Sequence, residues 1–573
     1  MNQILRNPGD PVENLAIGTI VEVDGTHVVA ELDPAISELS RVYAGDIYAI
    51  GQFGSIIRIH FGRRIIYGYV CRLRMKAEYD REHGIAANAP STARVIEADL
   101  FGEGEWVCTN PTPKAEWKMD FERGVSTFPL PQQKVYLTPK SELSYIFGQG
   151  GPAAVEIGEH VGAGGTPCYA DMNELLGKHT AVLGSTGSGK SGTVAAILHC
   201  LLERGNSQKY PKWNPRIVLL DPHNEYGDAF KGHRRLSTDE GTLSLPYWLL
   251  NFQEIIALLI GKTEFVATSQ ANIVKSALLS ARQKGAETLG LDKTAVTVDS
   301  PIPFSLKEFV ANIEADKPPQ ASKQDSHNSI LQKLEMLQND ARQRFMMTPW
   351  DEKTDPFGDI VAQFMGGGDP IRIVDLSGVP NEVAGAASSA IARALFSVKL
   401  WQSPEERQAS PILLVCEEAH RYVPNRGEAQ YEAAQEAIRR LAKEGRKYGI
   451  GLMLVSQRPS EVEATVLSQC NSWLVLRITN DADRDHVRSI LPDSLSGLTK
   501  VLSGLRRREA IFVGQAAMLP SRILIKYLDH DKLPRSHDID FDKGWQCDPI
   551  KPEMLAEIGK RWRLQKRPGG EGK

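Results

Sequence analysis

Eight consecutive residues carry the densest chemistry in this chain: Gly184, Ser185, Thr186, Gly187, Ser188, Gly189, Lys190 and Ser191. They fit G-x-x-x-x-G-K-[ST], the spacing of a Walker A phosphate loop. Glycines let backbone N–H groups turn inward around an anion, and the helix that follows adds partial positive charge at its N-terminus. A lysine at the seventh place can set its ammonium on the β- and γ-phosphates of a nucleotide, and a hydroxyl at the eighth can reach Mg2+. The chemistry allowed is binding of ATP with Mg2+, along a cradle running from Gly184 to Gly192.

A second group supplies what hydrolysis would need. The apolar run Ile412-Leu413-Leu414-Val415-Cys416 ends in Glu417 and Glu418. Such a strand end is a Walker B candidate. Glu417 would enter the Mg2+ shell directly or through water, at a place where Asp is commoner, and Glu418 would orient and activate the attacking water. Another apolar run, Gly451 to Ser456, ends in Gln457, placed to sense a γ-phosphate.

Three cationic positions stand out as well. Arg439, Lys443 and Arg446 fall at i, i+4 and i+7, so they share a helix face opposite Ala434, Ala437, Ile438, Leu441 and Ala442. That face is either plainly solvated or offers Arg446 across a subunit boundary as an arginine finger, stabilising charge on the transferring phosphoryl group. Arg477, inside the apolar run Leu474 to Ile478, is a second candidate, because a buried charge needs a partner. Asp221-Pro222-His223-Asn224-Glu225-Tyr226 follows a further strand. Asp221 is expected near the phosphate loop, with His223 and Glu225 coupling nucleotide state to the next loop. One His and two carboxylates make a weak metal set.

Elements must hold these groups in place. Val194, Ile197, Leu198 and Leu201 recur with helical spacing just after the phosphate loop. Strands are expected at His179–Gly184, Arg216–Asp221, Ile371–Leu376, Ile412–Glu417, Gly449–Ser456, Ser472–Ile478 and Ala510–Gly514. Their nearly continuous apolar character suits a sheet buried on both faces, and intervening helices predict mainly parallel strands. Residues from about 250 to 350 read as a helical insertion, with an apolar stripe at Ile330, Leu334, Leu337 and Ala341 and a polar loop from Lys317 to Ser326.

The first 165 residues differ. Short runs rich in Val, Ile and Tyr, separated by turns such as Asp24-Gly25 and Gly62-Arg63, predict a small closed β-barrel. Charged stretches from Lys76 to Pro90 and from Asn110 to Lys118 read as loops, and joining subunits is the expected use of this domain. The fold class is therefore α/β: a RecA-like P-loop ATPase core with a helical insertion, plus an N-terminal small β-barrel. The expected domains are 1–165, 166–519 and a C-terminal extension with a basic tail at 520–573.

Composition bounds the surroundings. The chain has 573 residues and a net charge of −4, so bulk charge does not announce nucleic acid. Seven cysteines form no CxxC pair, which suggests neither zinc nor a disulfide framework and fits a reducing cytoplasm. The apolar stretch from Leu245 to Gly261 is broken by Asn251, Gln253 and Glu254, so no membrane insertion is expected.

Taken together and in this order, the phosphate loop, Asp221–Tyr226, Ile373-Val374-Asp375-Leu376-Ser377, Glu417-Glu418-Ala419-His420, Glu444–Gly449 and Ser456-Gln457-Arg458-Pro459 resemble the HerA family of ring ATPases. The resemblance spans roughly residues 165 to 515. It implies a homohexamer that threads DNA, double-stranded, through its centre at the expense of ATP. Lys190, Glu418, Gln457 and Arg446 would then act in catalysis, with Ser191 and Glu417 at Mg2+. Lys178 stands where some relatives carry an arginine. The resemblance also implies a separate effector, a nuclease or an NAD-hydrolysing sirtuin-like protein, in antiphage defence. Lys231, Arg234, Arg235, Arg421 and Arg426 are candidates for DNA phosphates.

Other readings start from the same site. One is a nucleotide-gated scaffold that assembles and activates the effector; another is a peripheral secretion or conjugation ATPase. Leu495-Ser496-Gly497 hints at a transporter signature but falls after the Walker B candidate, and no NKxD motif for guanine is present.

Overall fold

A computed structural model describes residues 7–36, 38–84, 92–110, 116–148, 150–261, 268–425, 432–490, 501–535 and 539–564. The chain forms two compact units. The first takes in Met1–Leu175, Val182–Cys200 and Asn471–Tyr527, and the second Leu176–Ala181, Leu201–Cys470 and Leu528–Lys573.

In the first unit, nine strands come first: β1 (Ala16–Asp24), β2 (His27–Leu32), β3 (Ser40–Tyr43), β4 (Asp46–Ala49), β5 (Ile56–Phe61), β6 (Arg64–Met75), β7 (Arg94–Asn110), β8 (Glu116–Arg123) and β9 (Lys134–Leu137). Six of them pair in the order β2-β1-β9-β5-β6-β7, and β2 also pairs with β7, so the sheet closes on itself as the sequence predicts. The barrel leaves no free edge among these six strands. Irregular register between Ile20 and Glu22 and between Val70 and Arg72 adds the local bending that closure requires. β8 extends from β7 outside the ring, and β3 and β4 form a separate hairpin. Ile17, Ile57, Ile66, Val70 and Ile96 are wholly buried in the barrel's apolar core.

A polar clamp sits beside that core. Arg58 and Glu142 are both buried and pair at 2.5 Å, and the Tyr67 hydroxyl donates to the same carboxylate. Losing one partner would leave a buried charge uncompensated, which costs about 3–5 kcal/mol. Two expected loops differ. Lys76–Glu82 is a helix, with Tyr79 buried on its inner side and Arg74 over the Tyr79 ring. Strands β7 and β8 run to Asn110 and from Glu116, because their cross-strand pairing outweighs the polar composition there.

The rest of the first unit's sheet is antiparallel, unlike the mainly parallel arrangement expected. β10 (Ala154–His160) and β11 (Thr166–Asp171) are followed by β12 (Thr180–Leu183), within which the chain passes from one unit to the other. β10 lies outside the barrel: it pairs with β11 and with β20 (Ser521–Ile525), a strand past the point where the sequence pattern weakens. β20 pairs with β19 (Glu509–Gly514), which pairs with β18 (Ser472–Val475). Each of these pairings is antiparallel.

In the second unit the parallel expectation holds. β13 (Ile217–Asp221), β14 (Arg234–Ser237), β15 (Ile371–Asp375), β16 (Ile412–Cys416) and β17 (Ile450–Ser456) stand in the order β17-β16-β13-β15-β14, every neighbour parallel. β13, β15, β16 and β17 are buried along their whole length, matching their apolar runs. Helices Phe252–Leu259, Thr268–Thr288, Leu306–Ala315, Asp325–Asn339 and Phe357–Met365 lie between β14 and β15 as the predicted insertion. Ile330, Leu334 and Leu337 are its buried stripe. The polar loop is shorter than expected, since the helix already begins at Asp325.

Asn251 and Glu254 cap the first insertion helix reciprocally, which contributes on the order of 1 kcal/mol. Glu254 then accepts from Ser389 at 2.9 Å and from Arg393 at 2.7 Å, tying the insertion to helix Asn381–Trp401. Among the described residues, Val383–Trp401 is the one segment long and apolar enough to cross a membrane, and 72% of it is buried inside the fold.

Candidate active site

The phosphate loop belongs to the first unit. Leu476 N–H donates to the Leu183 carbonyl at 2.7 Å, and Ser185 N–H donates to the Arg477 carbonyl at 2.9 Å, so the segment after β18 grips the start of the loop. Thr479 N–H donates to the Ser185 hydroxyl at 3.1 Å. Ser188 N–H closes the turn onto the Ser185 carbonyl at 3.1 Å. Gly187 and Gly189 take φ of +73° and +100°, a region that L side chains avoid. The helix Lys190–Glu203 starts at once, and both the N–H and the hydroxyl of Thr193 donate to the Gly189 carbonyl at 2.9 Å. Val194, Ile197, Leu198 and Leu201 are buried, as their spacing predicts.

Ser188 is wholly buried, and its hydroxyl has no hydrogen-bond partner among the described residues. An orphaned buried hydroxyl is costly unless something else satisfies it. With a backbone curled by two left-handed glycines and Lys190 buried beside it, the loop fits a phosphate group.

The carboxylates belong to the second unit. Parallel strands bring their C-terminal ends to one edge, where ligands of such sheets bind. Asp221 is in register with Asp375, and Leu220 with Cys416, the residue before Glu417. Asp221 is wholly buried, and burial pushes its carboxyl up to about 6. Backbone N–H groups of Tyr226, at 3.0 Å, and His223, at 3.2 Å, oppose that shift. Tyr226, itself fully buried, donates its hydroxyl to Glu417 at 3.1 Å. Asp221 therefore fixes the turn, and the turn fixes Glu417.

Glu418 follows in the left-handed conformation, φ +54° and ψ +53°, uncommon for a residue with a side chain. The carboxylate is 6% exposed and lies 3.3 Å from His420 Nδ1. Burial holds the His420 imidazole below its usual range, so near neutral pH the carboxylate faces an uncharged ring. Ser456, ending β17, stands 3.5 Å from the same nitrogen, and Gln457 comes next, half-buried.

Arg446 is exposed, but not on the expected helix face. The helix ends at Glu444, and Arg446 sits on the turn Gly445–Tyr448, freed from the i+7 relation by that turn. Arg439 pairs with Glu463 at 2.7 Å, and Lys443 is exposed. His179, to which the sequence assigned no role, builds the turn's footing. It is buried at φ +61°, and Nδ1 accepts Leu452 N–H at 3.0 Å. The imidazole is also hydrogen-bonded to the Ala442 backbone and faces Gly445, while burial lowers it to about 4.

Other expectations are corrected. β18 stops at Val475, so Arg477 is half-exposed beyond the strand and carries no buried charge. Arg235 is held by Asp375 at 2.6 Å and Glu240 at 2.8 Å, which removes it from the candidates for DNA. Lys231 lies 3.8 Å from Asp228, Arg234 is exposed, and Arg421 Nη2 lies 3.2 Å from His223. Lys178 is half-buried. Arg426 and Leu495–Gly497 fall outside the described residues. Tyr226 and Asp375 sat inside motifs visible in the sequence; what each grips was not, because those partners are 191 and 140 residues away.

Residues 155–395 match the family model described as the central domain of helicase HerA. A probable helicase of Methanocaldococcus jannaschii is 26% identical, over 74% of this chain and 76% of its own length. The DNA double-strand break repair helicases HerA of Pyrococcus furiosus and Sulfolobus acidocaldarius are 26% and 28% identical, over 68% and 69% of this chain and 72% and 73% of theirs. Among solved structures, VirB4 of Thermoanaerobacter pseudethanolicus aligns with a TM-score of 0.48 at 15% identity, over 67% of this chain and 98% of that one.

Proposed function

Because this chain belongs to the HerA family and is an ATPase, we propose that it forms a homohexameric ring that hydrolyses ATP at the boundaries between copies to move double-stranded DNA through a central pore. The phosphate loop carries this reading: its curled glycines and orphaned buried Ser188 hydroxyl suit a triphosphate. A cytoplasmic setting rests on the cysteine pattern, and a separate effector, a nuclease or sirtuin-like protein in antiphage defence, rests on the family resemblance. Within the chain, residues 1–165 would join subunits, 166–519 would hold the ATPase core with its 250–350 insertion, and 520–573 would lend strand Ser521–Ile525 to the sheet before extending from it.

The roles follow from chemistry. The backbone from Gly184 to Gly192 cradles the phosphates, and the Lys190 ammonium balances their charge. Ser191 and Glu417 would hold Mg2+, which when bound would draw charge off the phosphate oxygens. Glu418 accepts the proton of the attacking water, and Gln457 holds that water or the γ-phosphate in line. Arg446 reaches from one copy toward the nucleotide of the next. A contact of that kind is head-to-tail, and head-to-tail contacts close into rings when the rotation permits. An apolar stripe on helix Pro552–Arg563, with Met554, Leu555, Ile558 and Trp562 all more than 40% exposed, also favours assembly.

Two results would test this. Duplex DNA added to the full chain should raise steady-state ATP turnover severalfold, less so as salt weakens phosphate contacts. A phosphate-release rate indifferent to DNA at every salt concentration would remove the motor reading. Tyr226→Phe should keep ATP affinity but lower turnover roughly fivefold, the worth of one hydrogen bond of about 1 kcal/mol. Unchanged turnover would mean that Glu417 does not depend on the Tyr226 hydroxyl.

A further inference from the structure

Three arginines in succession, Arg506, Arg507 and Arg508, precede β19. The fold engages two of them. Arg506 lies 3.3 Å from Glu509, whose carboxylate also accepts the Arg506 backbone N–H at 3.1 Å. Arg508 donates to the Ile525 carbonyl at 2.6 Å and stands over the Tyr527 ring. Arg507 is exposed, and no hydrogen bond, ion pair or ring contact with another described residue engages it. The nearby carboxylate, Glu509, is already shared by Arg506 and Arg522.

This turn is pressed onto the phosphate loop. Arg508 N–H approaches the Ser188 carbonyl at 3.4 Å. A Cβ added to Gly189 would stand 3.4 Å from Arg508 N and 3.7 Å from Arg507 Cγ. The stem of Arg507 therefore runs beside the last glycine of the loop, one residue before Lys190. Arg508 takes φ of +70°, a strained choice for an arginine that persists only where the surroundings impose it. The same Ser188 has the buried hydroxyl that lacks a partner among the described residues.

We propose that Arg507 binds the phosphate chain of the nucleotide held by its own subunit's phosphate loop. A guanidinium offers two parallel donors that match phosphate oxygens, and an arginine with no partner among the described residues gives up no ion pair there to make that contact. The inference rests on reading Gly184–Ser191 as the phosphate cradle. Arg507 would serve the site in its own chain, whereas Arg446 serves the neighbour's.

The test is filter binding of Mg·ATP and Mg·ADP by the full chain and by Arg507→Ala, Arg507→Lys, Arg506→Ala and Lys190→Ala. Arg507→Ala should bind ATP about tenfold more weakly, the usual worth of a charge-assisted phosphate contact. Arg507→Lys should fall between it and wild type, and Arg506→Ala should stay within about twofold of wild type, its charge being spent on Glu509. A loss with both nucleotides sets the contact on the α- or β-phosphate; a loss with ATP alone sets it on the γ-phosphate. Arg507→Ala binding both nucleotides as wild type does overturns the proposal, including the case in which its defect shows in duplex DNA affinity instead. If Lys190→Ala also binds ATP normally, the phosphate-loop reading itself has failed.

Discussion

Replacing Arg446 by alanine is expected to lower ATP turnover by about 10³-fold or more, the usual worth of an arginine finger. ATP affinity should change little, because the residue acts on the nucleotide of the adjacent copy. The structure supplies the local reason. Arg446 is exposed on a short turn, and the buried His179 imidazole secures the helix end from which that turn departs. The decisive measurement is mixing. In rings built from Arg446→Ala and Glu418→Gln subunits, an active boundary needs an Arg446→Ala copy holding ATP beside a Glu418→Gln copy donating Arg446. With equal amounts and random order, about a quarter of head-to-tail boundaries meet that condition. Turnover should therefore rise from near zero to a clear maximum at intermediate ratios. A flat response across all ratios would place Arg446 outside the neighbour's site.

Glu418→Gln should bind ATP as wild type does and hydrolyse it about 10²–10⁴-fold more slowly, the range for loss of a positioned general base. Glutamine keeps the size of the side chain, so the left-handed backbone and the approach to His420 can remain. What it cannot do is accept the water's proton. Filter binding and phosphate release separate the two steps. Lys190→Ala is the contrasting case, since it removes the cation that balances the phosphates and should lose binding and turnover together. Substantial turnover by Glu418→Gln would hand the proton to another group.

How the two halves of the fold read from sequence follows from how local their causes are. The barrel was legible because its runs are rich in Val, Ile and Tyr and are separated by Gly turns such as Asp24-Gly25, where Gly25 takes φ of +56°. The parallel strands were legible because burial on both faces demands continuous apolar runs, as in Ile217–Asp221 and Ile412–Cys416. The antiparallel partners of β10 were not. Ala154–His160 looks like any barrel strand, and its pairing with Ser521–Ile525 spans more than 350 residues. Arg477 shows the opposite error: an apolar run was extended past the end of the strand at Val475, so an ordinary half-exposed arginine looked like a buried charge.

The chain's own letters determined the chemistry on offer: a phosphate loop, strand-end carboxylates, a sensing amide and candidate cations. Those are signals of residue type and short spacing, and such signals act through the nearest few bonds. Tertiary structure alone decided which charges are spent and which stay available. Arg235 is consumed by Asp375, Arg439 by Glu463 and Arg506 by Glu509, while Arg507 and Arg446 stand exposed. It also decided that Tyr226 would hold Glu417 and that His179 would secure the turn of Arg446. The reason is physical: an ion pair or a buried hydrogen bond depends on distance and desolvation after the chain has packed, and neither is written in the spacing along the sequence.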